Sequence, residues 1–168
     1  MRHAVLALMA AALLAAGCRP GEKSGGATGK PVLGEKELAF ASQKLASMRD
    51  RVELLSFAPG KVGATDEEIF FDQLAALQPK ITRTSRSLET DAAVARDLGI
   101  AGAPSVIIKG GDNTRLRYFG MPSGYEFTVF LETIERVSAN QPAVTAKGAA
   151  ALADLRVPVN IKIFVTPS

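Results

Sequence analysis

The chain has 168 residues, 47% of them hydrophobic, which is enough for one ordinary domain with a core and a smaller remainder. Its formal charge of +3, from 20 basic and 17 acidic residues in no long block, is too mild to mark a nucleic-acid partner. One histidine, His3, and one cysteine, Cys18, leave no ligand set for a metal and no pair for Cys/His catalysis, so neither a metal nor another cofactor is expected.

The opening MRHAVLALMAAALLAAGC has a short basic start and an uncharged run from Ala4 to Ala16. That run is too short to cross a hydrocarbon core of roughly 30 Å comfortably as a helix. It reads as a secretory leader, residues 1–18. Leu14-Ala15-Ala16-Gly17-Cys18 resembles a bacterial lipobox, in which Cys18 carries the lipid and becomes the mature N-terminus; a plain leader with an incidental cysteine is the alternative. Residues 19–34 are rich in Gly, Lys and Pro without an apolar period and are expected to form a flexible tether. The expected location is extracytoplasmic, held to a membrane by the lipid.

From Glu35 to about Arg49, Leu38, Phe40 or Ala41, Leu45 and Met48 recur near helical spacing. Arg51–Phe57 is β-branched and apolar enough for a strand, and the Pro and Gly of 58–64 make a loop. Thr65 with Glu68 has the spacing of a capping box and opens a helix to Leu77, which Pro79 ends. The carboxylates of Asp66, Glu67 and Glu68 are read as helix capping. A weaker strand covers Ile81–Leu88, and Thr90 is placed to cap a helix from Asp91 to Leu98 that stops at Gly99. Ser105–Lys109 and Thr114–Phe119 read as a hairpin through GGDN, with Tyr118 and Phe119 in the core. Tyr125–Ser138 carries Phe127, Phe130, Leu131, Ile134 and Val137 along one side of a helix. Strands alternating with helices, then a hairpin, predict an α/β layer structure with a mixed central sheet flanked by helices over 35–139.

Residues 140–168 are expected to hold a linker helix and a further strand. Leu45 and Leu152, Val52 and Val159, and Phe57 and Phe164 each stand 107 positions apart, with Pro59 and Pro167 trailing. This suggests that a second copy of the first helix and strand begins. A C-terminal helix and strand that complete the first sheet are the alternative.

Gly99–Ser138, above all RYFGMPSGYEF at Arg117–Phe127, and the ending VNIKIFVTPS resemble the tandem thioredoxin-fold protein disulfide oxidoreductases, also called glutaredoxin-like. The resemblance covers roughly residues 36–168. It implies a thioredoxin-like unit followed by the start of a second, and substrates that are thiol- or disulfide-bearing proteins or peptides, with a separate redox partner. In that family a Cys-x-x-Cys sits at the N-terminus of the helix after the first strand, where the helix dipole favours the thiolate. Carried over, the first-unit dyad falls at or near Gly63-Ala64-Thr65-Asp66, which holds no cysteine, so this unit is expected to be redox-silent. One silent and one live unit is also the pattern of the N-terminal domain of flavoproteins that reduce alkyl hydroperoxide reductase. Ala103-Pro104 matches the family's cis-proline, beside which an extended substrate segment lies.

By the same resemblance, the catalytic dyad is expected just after Ser168, with residue 169 a selenocysteine encoded by UGA; a frameshift or a boundary is the alternative. A selenol is ionised at neutral pH and exchanges faster than a thiol. Sequencing the gene past codon 168 checks this: UGA followed in frame by Pro-x-Cys is the expected result, and any other stop overturns it. Two other readings stand beside an oxidoreductase: a non-catalytic thioredoxin-fold lipoprotein that binds peptides, and a structural lipoprotein.

Overall fold

The computed structural model describes residues 30–160 and 162, apart from Ala64, Asp112, Pro142 and Ala143. The leader, Cys18 and most of the tether therefore lie outside the described residues, as does most of the strand expected over Val159–Val165. In chain order the elements are α1 (Glu35–Leu45), β1 (Val52–Ala58), α2 (Asp66–Leu77), β2 (Ile81–Ser87), α3 (Ala92–Asp97), β3 (Ser105–Gly110), β4 (Asn113–Phe119), α4 (Tyr125–Ser138) and α5 (Ala146–Ala153).

The strands form one mixed sheet in the order β2-β1-β3-β4. β2 runs parallel to β1, whereas β3 is antiparallel to both β1 and β4. β1 is buried on both faces, which is why its sequence VELLSFA is nearly continuous in apolar residues rather than alternating. Val52 and Leu54 face a cluster built with α1, α2 and α4; Leu55 and Phe57 face a smaller one closed by Ala95 and Ile100 around α3. A four-ring group of Phe70, Phe71, Phe127 and Phe130 fills the larger cluster, with centroids 5.3–6.1 Å apart along its contacts. Ala41, not Phe40, is the α1 residue at its centre.

Three local expectations are corrected. First, α1 stops at Leu45 rather than about Arg49, because the backbone that follows is claimed by α4: Ser138 Oγ accepts from Arg49 N at 2.7 Å and from Asp50 N at 2.9 Å. Second, Thr90 does not cap α3. Asp91 is its N-cap residue, and the Asp91 carboxylate folds back to accept from Ser87 N, Arg86 Nη1 and the Thr90 hydroxyl. Third, Phe119 is 54% exposed on edge strand β4, while Tyr118 alone turns inward against Phe130 at 5.5 Å.

Gly110 ends β3 rather than merely making the turn, and a Cβ there would stand 2.6 Å from Val137 Cγ1 and 3.4 Å from the Arg51 carbonyl. Gly110→Ala is therefore expected to lower stability by about 1–3 kcal/mol through overpacking, read as an earlier urea midpoint. An unchanged midpoint would show that α4 yields freely. α5 buries none of its residues; Thr145 caps it by accepting from Gly148 N at 3.1 Å.

Candidate functional site

Three loops meet at one pole of the sheet. Residues 59–65 follow the C-terminal end of β1, residues 99–104 precede β3, and residues 120–124 follow β4. Phe57 pairs with Ser105, and Ser105 with Phe119, so these strand ends lie side by side. The Ala103–Pro104 peptide is cis. The Pro104 carbonyl accepts from Gly120 N at 2.9 Å, which ties the second loop to the third. At Gly63, Gly102, Gly120 and Gly124 a Cβ would meet nothing within 4 Å. The mouth around Pro104 is thus lined by open backbone and small side chains, a surface that an extended chain can approach closely.

Gly63 has φ of +90°, a conformation that favours glycine, and Asp66 opens α2 on the same loop. The position carried over for a dyad therefore sits at a helix N-terminus, on the loop that leaves β1 at the pole where β3 begins after Pro104, and Gly63, Thr65 and Asp66 offer no thiol. Ala64 lies outside the described residues.

Sequence reasoning missed what lies beneath this loop. Glu68 is not a simple capping residue: it is 2% exposed. Its carboxylate accepts from Gly63 N, from Arg83 Nη2 at 2.9 Å and from Ser85 Oγ at 2.6 Å. Arg83, with a side chain 4% exposed, also pairs with Asp72. Ser56 on β1 joins through Ser85 Oγ at 2.9 Å. The hydroxyl of Thr65 does cap α2, accepting from Glu68 N at 3.4 Å, so half of the capping box forms. The other half is diverted because Arg83 draws the Glu68 carboxylate inward. Glu68 also sits in the first turn of α2, where the helix N-terminus favours its carboxylate. A signal existed in the sequence: Arg83 stands at an inward position of β2, two residues after buried Ile81.

Beside the same pole, a cleft of ≈ 300 Å³ opens between Val32, Leu33 and Gly34 on one side and Met121 and Pro122 on the other, with Phe70 as a wall. Gln73 holds its first side in place: Oε1 accepts from Val32 N and Leu33 N at 3.0 and 2.9 Å, and Nε2 donates to the Leu33 carbonyl at 3.1 Å.

Tyr118 donates its phenol to Glu126 in the first turn of α4. Burial first, then this hydrogen bond and the Glu126 charge, push the phenol well above the ordinary tyrosine range. Because the folded-state value is raised, the stability owed to the protonated phenol is whole below the ordinary pKa of about 10 and is lost as pH rises through the folded value. Glu126→Gln is expected to bring the titration down, followed by phenolate absorbance. A curve that does not move would show that burial alone sets it.

Among the described residues, no group of His, Cys, Asp and Glu is placed to hold a metal ion. No described helix is long and apolar enough to cross a membrane.

No protein-family profile and no curated protein sequence matches the chain. Solved structures do. A protein disulfide oxidoreductase from Aeropyrum pernix superposes with a TM-score of 0.61 at 22% identity, over 73% of this chain and 55% of that one. The alkylhydroperoxide reductase protein AhpF of Enterococcus faecalis, as a C503A mutant, gives 0.56 at 24% identity, over 68% and 57%. The separately solved N-terminal domain of AhpF matches with the same figures. The chain therefore has a thioredoxin-like fold, and it spans little more than half the length of these neighbours.

Proposed function

We propose that this chain belongs to a thiol-disulfide oxidoreductase of the tandem thioredoxin-fold class, lipid-anchored at Cys18 outside the cytoplasm, and that its 35–139 unit docks substrate without exchanging disulfides itself. The observation that carries this reading is the Pro104 mouth: an open, glycine-lined surface, beside a helix N-terminus whose dyad position holds Gly63 and Asp66 in place of cysteines. Thiol- or disulfide-bearing polypeptides are the substrates, and the exchanging selenol or thiol pair is carried outside this unit. Anchoring is supported by the lipobox-like LAAGC at Leu14–Cys18.

A non-catalytic peptide-binding lipoprotein is the second reading. It is favoured by the Glu68–Arg83–Asp72 group, which fastens the loop through Gly63 to a buried ion pair.

Both readings require docking at Pro104, and they part on chemistry. Amide NMR of the chain, titrated with an extended disulfide-linked peptide, is expected to move Gly63, Ala103 and Gly120 together, with no disulfide reduced by the 168-residue chain. If those amides stay still while others move, docking at Pro104 is wrong. Disulfide reduction by the product of the whole gene would support the first reading, and its absence the second.

A further inference from the structure

The ≈ 300 Å³ cleft shares a wall with the Pro104 mouth, because Met121 and Pro122 follow directly on Gly120, whose N–H donates to the Pro104 carbonyl. Its floor is Phe70 and Phe127, two rings with centroids 5.8 Å apart in an edge arrangement. The opposite wall, at Val32 and Leu33, is fixed by the three hydrogen bonds of Gln73.

Both helices that border the cleft begin on glycine. Gly34 is the N-cap residue of α1 and Gly124 that of α4, and neither helix has a side-chain cap. No Cβ projects from either start, and backbone N–H groups of the first turns, which have no partner inside a helix, are left at the rim. An apolar floor with open donors above it suits a polypeptide, which brings an apolar side chain and backbone carbonyls together. A hydrocarbon chain would cover those donors without meeting them. The volume stands at the lower end of small-molecule sites, about 300–1,000 Å³, and suits one large side chain better than a cofactor.

Among the described residues, Glu37 is the only charged one that lines the cleft. It is exposed and enters none of the ion pairs found among them. Its carboxylate turns back over the start of α1, where Oε2 stands 2.9 Å from the place a Cβ on Gly34 would take.

We infer that the cleft is the anchor pocket for the polypeptide that docks at Pro104: it takes one large aliphatic or aromatic side chain, and Glu37 at the rim selects a lysine or arginine next to it. This rests on the docking reading above and names the kind of segment that docks.

The test is NMR of the 168-residue chain, labelled at methionine methyls and backbone amides and titrated with three extended disulfide-linked peptides. The peptides differ only beside the cysteine, where they carry Leu-Lys, Ala-Lys or Leu-Glu. Met121 reports on the cleft, and Met48, 3% exposed in the core, is the internal control. The Leu-Lys peptide is expected to move the Met121 methyl and the Leu33 and Gly34 amides together with Gly63, Ala103 and Gly120, while Met48 stays. The Ala-Lys peptide is expected to bind about tenfold or more weakly through lost apolar burial. The Leu-Glu peptide is expected to bind about two- to fivefold more weakly than Leu-Lys, a gap that narrows as salt rises. Glu37→Lys, at an exposed position, is expected to reverse that order. If the mouth amides respond equally to all three peptides and Met121 to none, docking at Pro104 stands and the pocket is overturned. If the mouth amides stay still as well, the docking reading falls and this inference with it. A Met121 response to benzene and to no peptide assigns the cleft to small apolar molecules and overturns the polypeptide. An unreversed preference for Leu-Lys in Glu37→Lys overturns the role of Glu37.

Discussion

Glu68→Ala is expected to cost about 3–5 kcal/mol of folding stability, a large share of what a domain of this size possesses. The substitution removes one carboxylate and strands a guanidinium that is 4% exposed, leaving it Asp72 and the Ser85 hydroxyl. It also frees Gly63 N, so the loop through residue 63 loses its latch. Arg83→Ala is expected to cost as much, because it takes the guanidinium away from a Glu68 carboxylate that is 2% exposed. Replacing both Glu68 and Arg83 by methionine is a different matter. Apolar side chains of similar volume remove the desolvation cost along with the attraction, so the double variant is expected to recover much of the loss. Urea unfolding of the two singles and the double completes a cycle with a coupling energy well above additivity. Single losses below about 1 kcal/mol would mean that the pair behaves like a surface ion pair and that the loop is held by something else. Hydrogen exchange at Gly63 supplies a separate readout: the double variant should stay folded yet expose that amide.

Most of the element order was legible because its causes are local. β1 is apolar on both faces, α4 carries its five large side chains on one side, and Pro79 and Gly99 stop helices by their own backbone chemistry. The misses arose where a distant residue overrode a local rule. Arg49 lost its helix to Ser138, which is 89 positions away in sequence. Asp91 displaced Thr90 as cap residue because Arg86 and Ser87 at the end of β2 pulled its carboxylate back.

The site was legible in outline and not in its floor. Pro104, Gly63 and Asp66 were singled out by a motif match alone; Gly63 lies on the loop after β1, Asp66 opens α2 and Pro104 precedes β3. The role of Glu68 was missed because capping spacing and a buried ion pair look alike locally; the signal lay on another element, at Arg83 of β2, which pairs in parallel with β1. A carboxylate at the third position of a helix is a cap only if no inward-facing arginine competes for it.

Phe130→Ala is expected to cost about 3–5 kcal/mol, and more than Phe70→Ala. Both rings are essentially buried, and both touch three other aromatic rings, so transfer from water is nearly equal for the two. What differs is the hole left behind. Phe70 forms a wall of the ≈ 300 Å³ cleft, so its removal opens the vacated space to a groove that already reaches solvent. Phe130 is enclosed by Phe70, Phe71 and Tyr118, and its removal leaves a closed apolar void whose lining loses its contacts outright. The cavity part of the cost therefore falls in full on Phe130 and only partly on Phe70. Matched urea melts of the two variants decide it, and equal losses, or a larger loss at Phe70, would show that the cleft is not continuous with the core behind it. A second consequence follows from the same geometry: a small apolar probe such as benzene is expected to restore part of the stability of Phe130→Ala by filling a dry void. It should do less for Phe70→Ala, whose enlarged groove is wet.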